Sequence, residues 1–144
     1  MDLIKAVEIA VTAHNKQLDK AGLPYILHPL RVMIRAGAYG ETGQIIAVLH
    51  DVLEDTWMTE EALYEQGFSY QVVDTLRILT RVEGEKYKNY IERVKQNALA
   101  TVIKRYDIGD NLAEERLSYL PEEEQIRLRS KYLRALEILT QEEK

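Results

Sequence analysis

The stretch "QIIAVLHDVLEDT", Gln44 to Thr56, decides how the rest of the chain is read. Ile45, Ile46, Ala47, Val48 and Leu49 are apolar on nearly every side of a helix, the pattern of a segment at the centre of a domain. That run passes directly into His50, Asp51, Glu54 and Asp55. Unpaired ionised groups in a low-dielectric interior cost several kcal/mol or neutralise, so these four side chains demand compensation. On a helix running from about Thr42 to Asp55, Asp51 and Asp55 stand at i and i+4, His50 and Glu54 likewise, and Asp51 and Glu54 at i and i+3. The cluster then covers one side of the helix, and a cation satisfies it.

Outward from this segment, apolar residues recur three or four apart almost everywhere, with few Gly or Pro and no repeat. The chain reads as all-α: one bundle of about six to eight helices over 1–144, with no linker. A first helix runs over Leu3 to Ala13 and fades before Gly22 and Pro24, and a second spans Leu27 to Ala36. Thr59 caps a short helix through Tyr64 that Gly67 stops, and Ser69 to Thr80 forms the next. Tyr87 to Lys95 and Ala98 to Leu117 follow, with a break near Asn97 left open. The last helix has Pro121 at its first position and three glutamates against the positive end of its dipole.

Composition removes several function classes. With no cysteine, thiolate zinc sites, disulfides and thiol catalysis are excluded, and a metal must be held by His, Asp, Glu or Asn. The formal charge of −5 argues against polymeric nucleic acid as a partner. The N-terminus lacks a signal peptide's basic head and apolar core, and no run is long enough to cross a bilayer, so the expected location is the cytoplasm with no membrane partner.

His50 and Asp51 alone cannot fill a coordination shell. "PYILHP" supplies His28 between two prolines, and "KRYDIGDN" supplies Asp107, Asp110 and Asn111 on a late helix. Taken singly, His28 reads as a helix-start histidine, "EDT" as solvated surface and "YDIGDN" as a cap or turn. Beside a His-Asp pair inside an apolar helix, the three segments read as one imidazole-and-carboxylate site for Mn, Fe, Zn or Mg.

In order and spacing, "AHNKQLDKAGLPYILHP", "HDVLEDT" and "VIKRYDIGDNL" resemble the "AH.GQ.RK.G.PYI.HP", "HD..EDT" and "VKLAD...N" motifs of one branch of the HD-domain phosphohydrolases. That branch comprises the hydrolase domains of RelA/SpoT stringent-response proteins and the small stand-alone (p)ppGpp hydrolases. The resemblance implies metal ligation by His28, His50, Asp51 and Asp107, with Mn2+ as the ion. It implies that Glu54 and Asp55 position or activate the attacking water, and that Asn111 lies near the substrate. Lys20 falls in the region implied to form the nucleotide pocket, while Lys104 and Arg105, and Lys86, Lys88 and Arg93 around Tyr87 and Tyr90, are candidates for phosphate. His14 matches a position outside the ligand set, and Trp57 either packs a loop or stacks on a base.

The implied activity is a metal-dependent (p)ppGpp 3′-pyrophosphohydrolase, with the synthetase half of the bifunctional proteins absent from these 144 residues. Departures fall on the nucleotide pocket: Asp19 stands where the branch usually has a basic residue, Lys16 where it has Gly, and Ala113 and Glu114 where bifunctional members often carry Arg and Thr. They keep open an HD-type nucleotide phosphohydrolase or phosphomonoesterase of different specificity, and a non-catalytic alarmone-binding module.

Overall fold

The computed structural model describes residues 2–141. Helix α1 (Leu3–Ala13) is capped by the Asp2 side chain, which accepts from the Lys5 amide. Helix α2 (Leu27–Arg35) passes through a 3-10 turn, Ala36–Tyr39, into α3 (Gly40–Leu49). That connection settles the role of its glycines. Gly40 takes φ +71, and a Cβ on Gly43 would sit 2.6 Å from the Cβ of Tyr39, so only glycine lets the turn fold against α3.

Ile45, Ile46, Ala47, Val48 and Leu49 are all completely buried, as their pattern predicts. Helix α3 packs on α1, α2, α6 (Tyr70–Ile78) and α8 (Ala98–Asn111), which makes it the axis of the bundle. Each of its large side chains contributes roughly 1.5–3 kcal/mol by leaving water. Helix α5 (Glu60–Glu65) follows its Thr59 cap and ends before Gly67 at φ +92. Helix α7 (Tyr87–Lys95) and the long α10 (Glu122–Thr140) close the far side against α8. Among the described residues the fold is all-α, with one isolated bridge between Leu18 and Pro24. No helix among them is long and apolar enough to cross a membrane.

Three expected boundaries change. The helix expected from Thr42 to Asp55 is interrupted at His50 and Asp51 and resumes as a single turn, α4 (Val52–Asp55). The cause is local: the His50 ring and its backbone amide both turn onto the Ala47 carbonyl. The helix expected to run from Ala98 to Leu117 stops at Asn111, with α9 (Glu114–Leu117) a separate turn after Ala113 leaves helical geometry. Asn97 does mark a break, because its side chain accepts the Ala100 amide at 2.9 Å and starts α8. Pro121 occupies the cap position rather than the first helical one, and Glu122, Glu123 and Glu124 form the acidic first turn.

Candidate metal centre

Three elements deliver the site. The first turn of α2 carries His28, the end of α3 carries His50 and Asp51, and the middle of α8 carries Asp107. The packing of α2 and α3 on α8 brings one donor atom each of His28, His50 and Asp107, all buried, within 4.8 Å of one another. Asp51, Glu54 and Asp55 form a second such group toward the surface.

Asp51 links the two. Its Oδ2 lies 2.9 Å from His50 Nε2 and 3.8 Å from His28 Nε2. On the buried side, His28 Nε2 lies 2.8 Å and His50 Nε2 3.4 Å from Asp107 Oδ1. Nitrogen and oxygen ligands bound at about 2.1 Å to a shared ion stand about 3.0–3.4 Å apart, the range these atoms bracket. His50 Nδ1 donates to the Ala47 carbonyl at 2.6 Å, which leaves Nε2 buried without a well-aligned hydrogen bond and its lone pair facing the carboxylates. That orphaned nitrogen, the four converging donors and the absence of thiolate fit a divalent ion.

The electrostatics agree. Burial opposes charge on the His50 ring, yet Asp51 and Asp107 lift it well above an ordinary imidazole. Burial likewise works to raise Asp51 and Asp107, but His50 with His28 brings Asp51 down to about 2, and Lys104 with the histidines holds Asp107 well below the usual carboxylate range. Both carboxylates are ionised at neutral pH and draw positive charge, from a proton or a metal, toward the imidazoles.

Outer contacts fix these groups. Asp110 accepts from His28 Nδ1 at 2.6 Å, and is itself held by Arg31 Nε at 2.8 Å and Arg116 Nη1 at 3.0 Å. The Tyr25 hydroxyl donates to Asp51 Oδ2, and the ring of Tyr25 rests 5.0 Å from that of His14, which is buried and bonded to Gln17. Lys104 Nζ donates to Asp107 Oδ2 at 2.8 Å, and Asn111 Nδ2 donates to Asp107 Oδ1 at 3.2 Å while its own oxygen accepts from Arg116.

Two cavities meet beside the cluster, sharing Tyr25, Glu54, Asp55, Asn111 and Tyr132. The larger, about 450 Å³, has Leu117, Leu120 and Leu128 in its wall and Asp19, Lys20 and Arg116 around them. The smaller, about 320 Å³, exposes Asp51 and Asp107 opposite Arg81, Lys104 and Lys131. Glu54 is fixed at the junction by the Arg81 amide, which donates to Oε1 at 2.9 Å. Burial, with Asp51 and Glu54 beside it, pushes the Asp55 carboxyl up to about 6.

Other expected residues sit differently. Lys20 is well exposed and paired with Glu124 at 2.9 Å, at the rim of the larger cavity. Tyr90 is buried and spends its hydroxyl on the Leu79 carbonyl, so its ring alone reaches the smaller cavity. Arg93 is committed to Glu85 and to the carbonyls of Ile78 and Thr80. Trp57 is exposed and borders a separate hollow beside α1. Tyr25, Arg31, Arg81, Arg116 and Lys131 were not assigned to the site from sequence, whereas Asp110 was named with Asp107 and Asn111 and holds His28 from behind. Only the three-residue spacing of His28 with Arg31 signals any of the five.

No family model matches the chain. The guanosine-3′,5′-bis(diphosphate) 3′-pyrophosphohydrolase of Aquifex aeolicus is 36% identical over 103 residues, covering 69% of this chain and 15% of that protein. The bifunctional (p)ppGpp synthase/hydrolase RelA of Mycobacterium tuberculosis is 36% identical over 135 residues, covering 87% of this chain and 18% of that protein. A solved structure described as a metazoan ortholog of SpoT that hydrolyzes ppGpp superposes with a TM-score of 0.82 at 23% identity, over 96% of this chain and 85% of that one.

In sequence and fold, this chain matches the RelA/SpoT hydrolase domain. The matched segment is 15% to 18% of the length of those two curated relatives. The buried His28, His50 and Asp107 triad is the HD-type metal cluster of such a domain.

Proposed function

We propose that the chain is a metal-dependent phosphohydrolase of a phosphorylated nucleotide, acting on guanosine 3′,5′-bis(diphosphate) at its 3′ diphosphate with Mn2+ as the ion. The observation that carries this reading is the buried imidazole-carboxylate triad in contact with a cavity whose opposite wall is cationic. The names of the relatives support the substrate.

His28, His50, Asp51 and Asp107 would hold the ion, which when bound supplies Lewis acidity toward a phosphoryl oxygen and toward water. Glu54 and Asp55 stand where the cavities meet, the place for a base, and a carboxyl near 6 exchanges protons readily around neutral pH. In the reaction a water oxygen bonds to the phosphorus carried by the 3′ oxygen, and the bond from that phosphorus to the 3′ oxygen breaks. The water proton passes to the carboxylate pair, and the departing oxygen takes a proton to become the 3′ hydroxyl, releasing pyrophosphate. Asn111 and Lys104 border the reacting group, the Tyr90 ring flanks it, and Lys20 stands at the rim of the larger cavity, on the side of the nucleoside.

One observation favours a second reading. Asp19 lines the larger cavity and puts a carboxylate where a basic residue would meet the nucleotide, which suits a phosphohydrolase or phosphomonoesterase with another preference. The test is product analysis by anion exchange of the Mn2+-loaded protein with ppGpp, beside Asp51→Asn and Glu54→Gln. GDP and pyrophosphate formed by the unmodified chain alone support the proposal. Product only from other nucleotides selects the second reading, and tight nucleotide binding with no product from any selects a binding module.

A further inference from the structure

The smaller cavity holds a concentration of positive charge that the metal cluster does not use. Lys131, on α10, reaches it beside Arg81 and Lys104. Lys104 is bonded to Asp107 and so serves the metal cluster. Lys131 instead lies 4.4 Å from the ring centre of Tyr87 and 5.4 Å from that of Tyr132, and burial together with the nearby cations Lys104, Arg81, Arg127 and Lys20 acts against its charge. Arg81 covers the same Tyr87 ring at 5.6 Å and gives its Nε to the Glu85 carbonyl. The Tyr87 hydroxyl is buried with no hydrogen-bond partner among the described residues, and it too lines this cavity.

Like charges gathered around a half-buried ammonium are unfavourable unless an anion joins them, and a buried donor without an acceptor adds to the cost. The tyrosine rings offset part of this by cation–π attraction, yet they leave the ammonium's donors free. The geometry points to a phosphate subsite formed by Lys131, Arg81 and the Tyr87 hydroxyl, which takes the terminal phosphate of a nucleotide's 3′ diphosphate.

This deepens the hydrolase reading and rests on it. The phosphorus under attack belongs beside Asp51 and Asp107, and the nucleoside fits the larger, partly apolar cavity beyond Glu54 and Asp55. The second phosphate of the diphosphate then falls on the Lys131 side. The subsite makes Lys131 a specificity determinant that separates diphosphate from monophosphate esters.

Inorganic pyrophosphate and orthophosphate are the probes, titrated calorimetrically into the Mn2+-loaded full chain, its Lys131→Gln form and its Lys131→Arg form. Metal content and melting temperature are measured on each. Pyrophosphate is expected to bind the unmodified chain more tightly than orthophosphate. Lys131→Gln should weaken pyrophosphate about tenfold or more with little change for orthophosphate, and Lys131→Arg should retain most of the affinity. With ppGpp as substrate, the Gln form should raise KM more than it lowers kcat. Pyrophosphate that binds Lys131→Gln as well as the unmodified chain, or no better than orthophosphate to begin with, overturns the subsite. If the Gln form does not fold, loss of the pyrophosphate preference in a folded Lys131→Met form supports the subsite and its retention rejects it. Preferential, Lys131-dependent pyrophosphate binding in a chain that hydrolyses no ppGpp leaves the subsite standing and discards the hydrolase reading alone.

Discussion

His28 lies between two carboxylates, Asp110 at 2.6 Å from Nδ1 and Asp107 at 2.8 Å from Nε2, so its ring is clamped along the axis that joins α2 to α8. An imidazole whose Nδ1–H is held by a carboxylate keeps its Nε2 lone pair directed at the metal and gains basicity as a ligand. Arg31 and Arg116 in turn hold Asp110, so the orientation of a buried ligand depends on groups at the edge of the site.

Asp110→Asn therefore weakens the metal without removing a ligand. The expected loss is about 10- to 100-fold in Mn2+ affinity, measured by competition with a metal-binding dye, with far-UV circular dichroism unchanged. Asp110→Asn that binds Mn2+ as tightly as the unmodified chain would show that the His28–Asp110 contact serves packing only.

Chelator-treated protein should lose stability as pH rises from about 5 to 8. In the metal-free fold the raised His50 and Asp55 groups bind protons more tightly than in the unfolded chain, so their contribution is full at low pH and disappears as each titrates through its folded value. The lowered carboxylates Asp51 and Asp107 act in the opposite sense but below this window, where acid costs their ion pairs. A metal competes with the same protons, so the rise in melting temperature produced by Mn2+ should be larger at pH 8 than at pH 6. A chelated protein that grows steadily more stable between pH 5 and 8 contradicts this account.

The legible parts of this protein are those set by local rules. The burial of Ile45 to Leu49, the cap at Thr59 and the convergence of His28, His50 and Asp107 all follow from periodicity, capping chemistry and the need to compensate charge, whereas the break that the Asn97 cap makes was left open by the sequence. The interruption of the central helix was not legible, because it depends on the His50 ring bonding Ala47 rather than on any breaker residue. Lys131 and Arg116 were hidden for a different reason. Each arrives from a helix far along the chain, and only tertiary packing puts it within reach of the cavities.

Lys16 adopts φ +68, the left-handed region that the motif's glycine occupies without strain. It is exposed, just past the end of α1, so backbone conformation decides the effect of the change. Lys16→Gly should stabilise the fold by about 0.5–1 kcal/mol in denaturant titration and leave metal affinity alone. A lower midpoint for Lys16→Gly would mean that the lysine side chain contributes more than its backbone costs.

Asp19 combines two roles that substitutions can separate. Its Oδ1 accepts the amides of Ala21 and Leu23, each at 2.9 Å, which closes the loop leading to Pro24 and Tyr25, while Oδ2 faces Arg116 at 3.6 Å. Asp19→Asn keeps an oxygen for the two amides and removes only the charge, so the loop should survive and Arg116 should be freer to meet an anion. Asp19→Ala loses both, and should cost about 1 kcal/mol of stability through the unpaired amides. If the carboxylate limits nucleotide binding, Asp19→Asn should lower KM for ppGpp several-fold with kcat little changed. An unchanged KM would assign Asp19 to the loop alone and place the determinant of base preference elsewhere in the larger cavity.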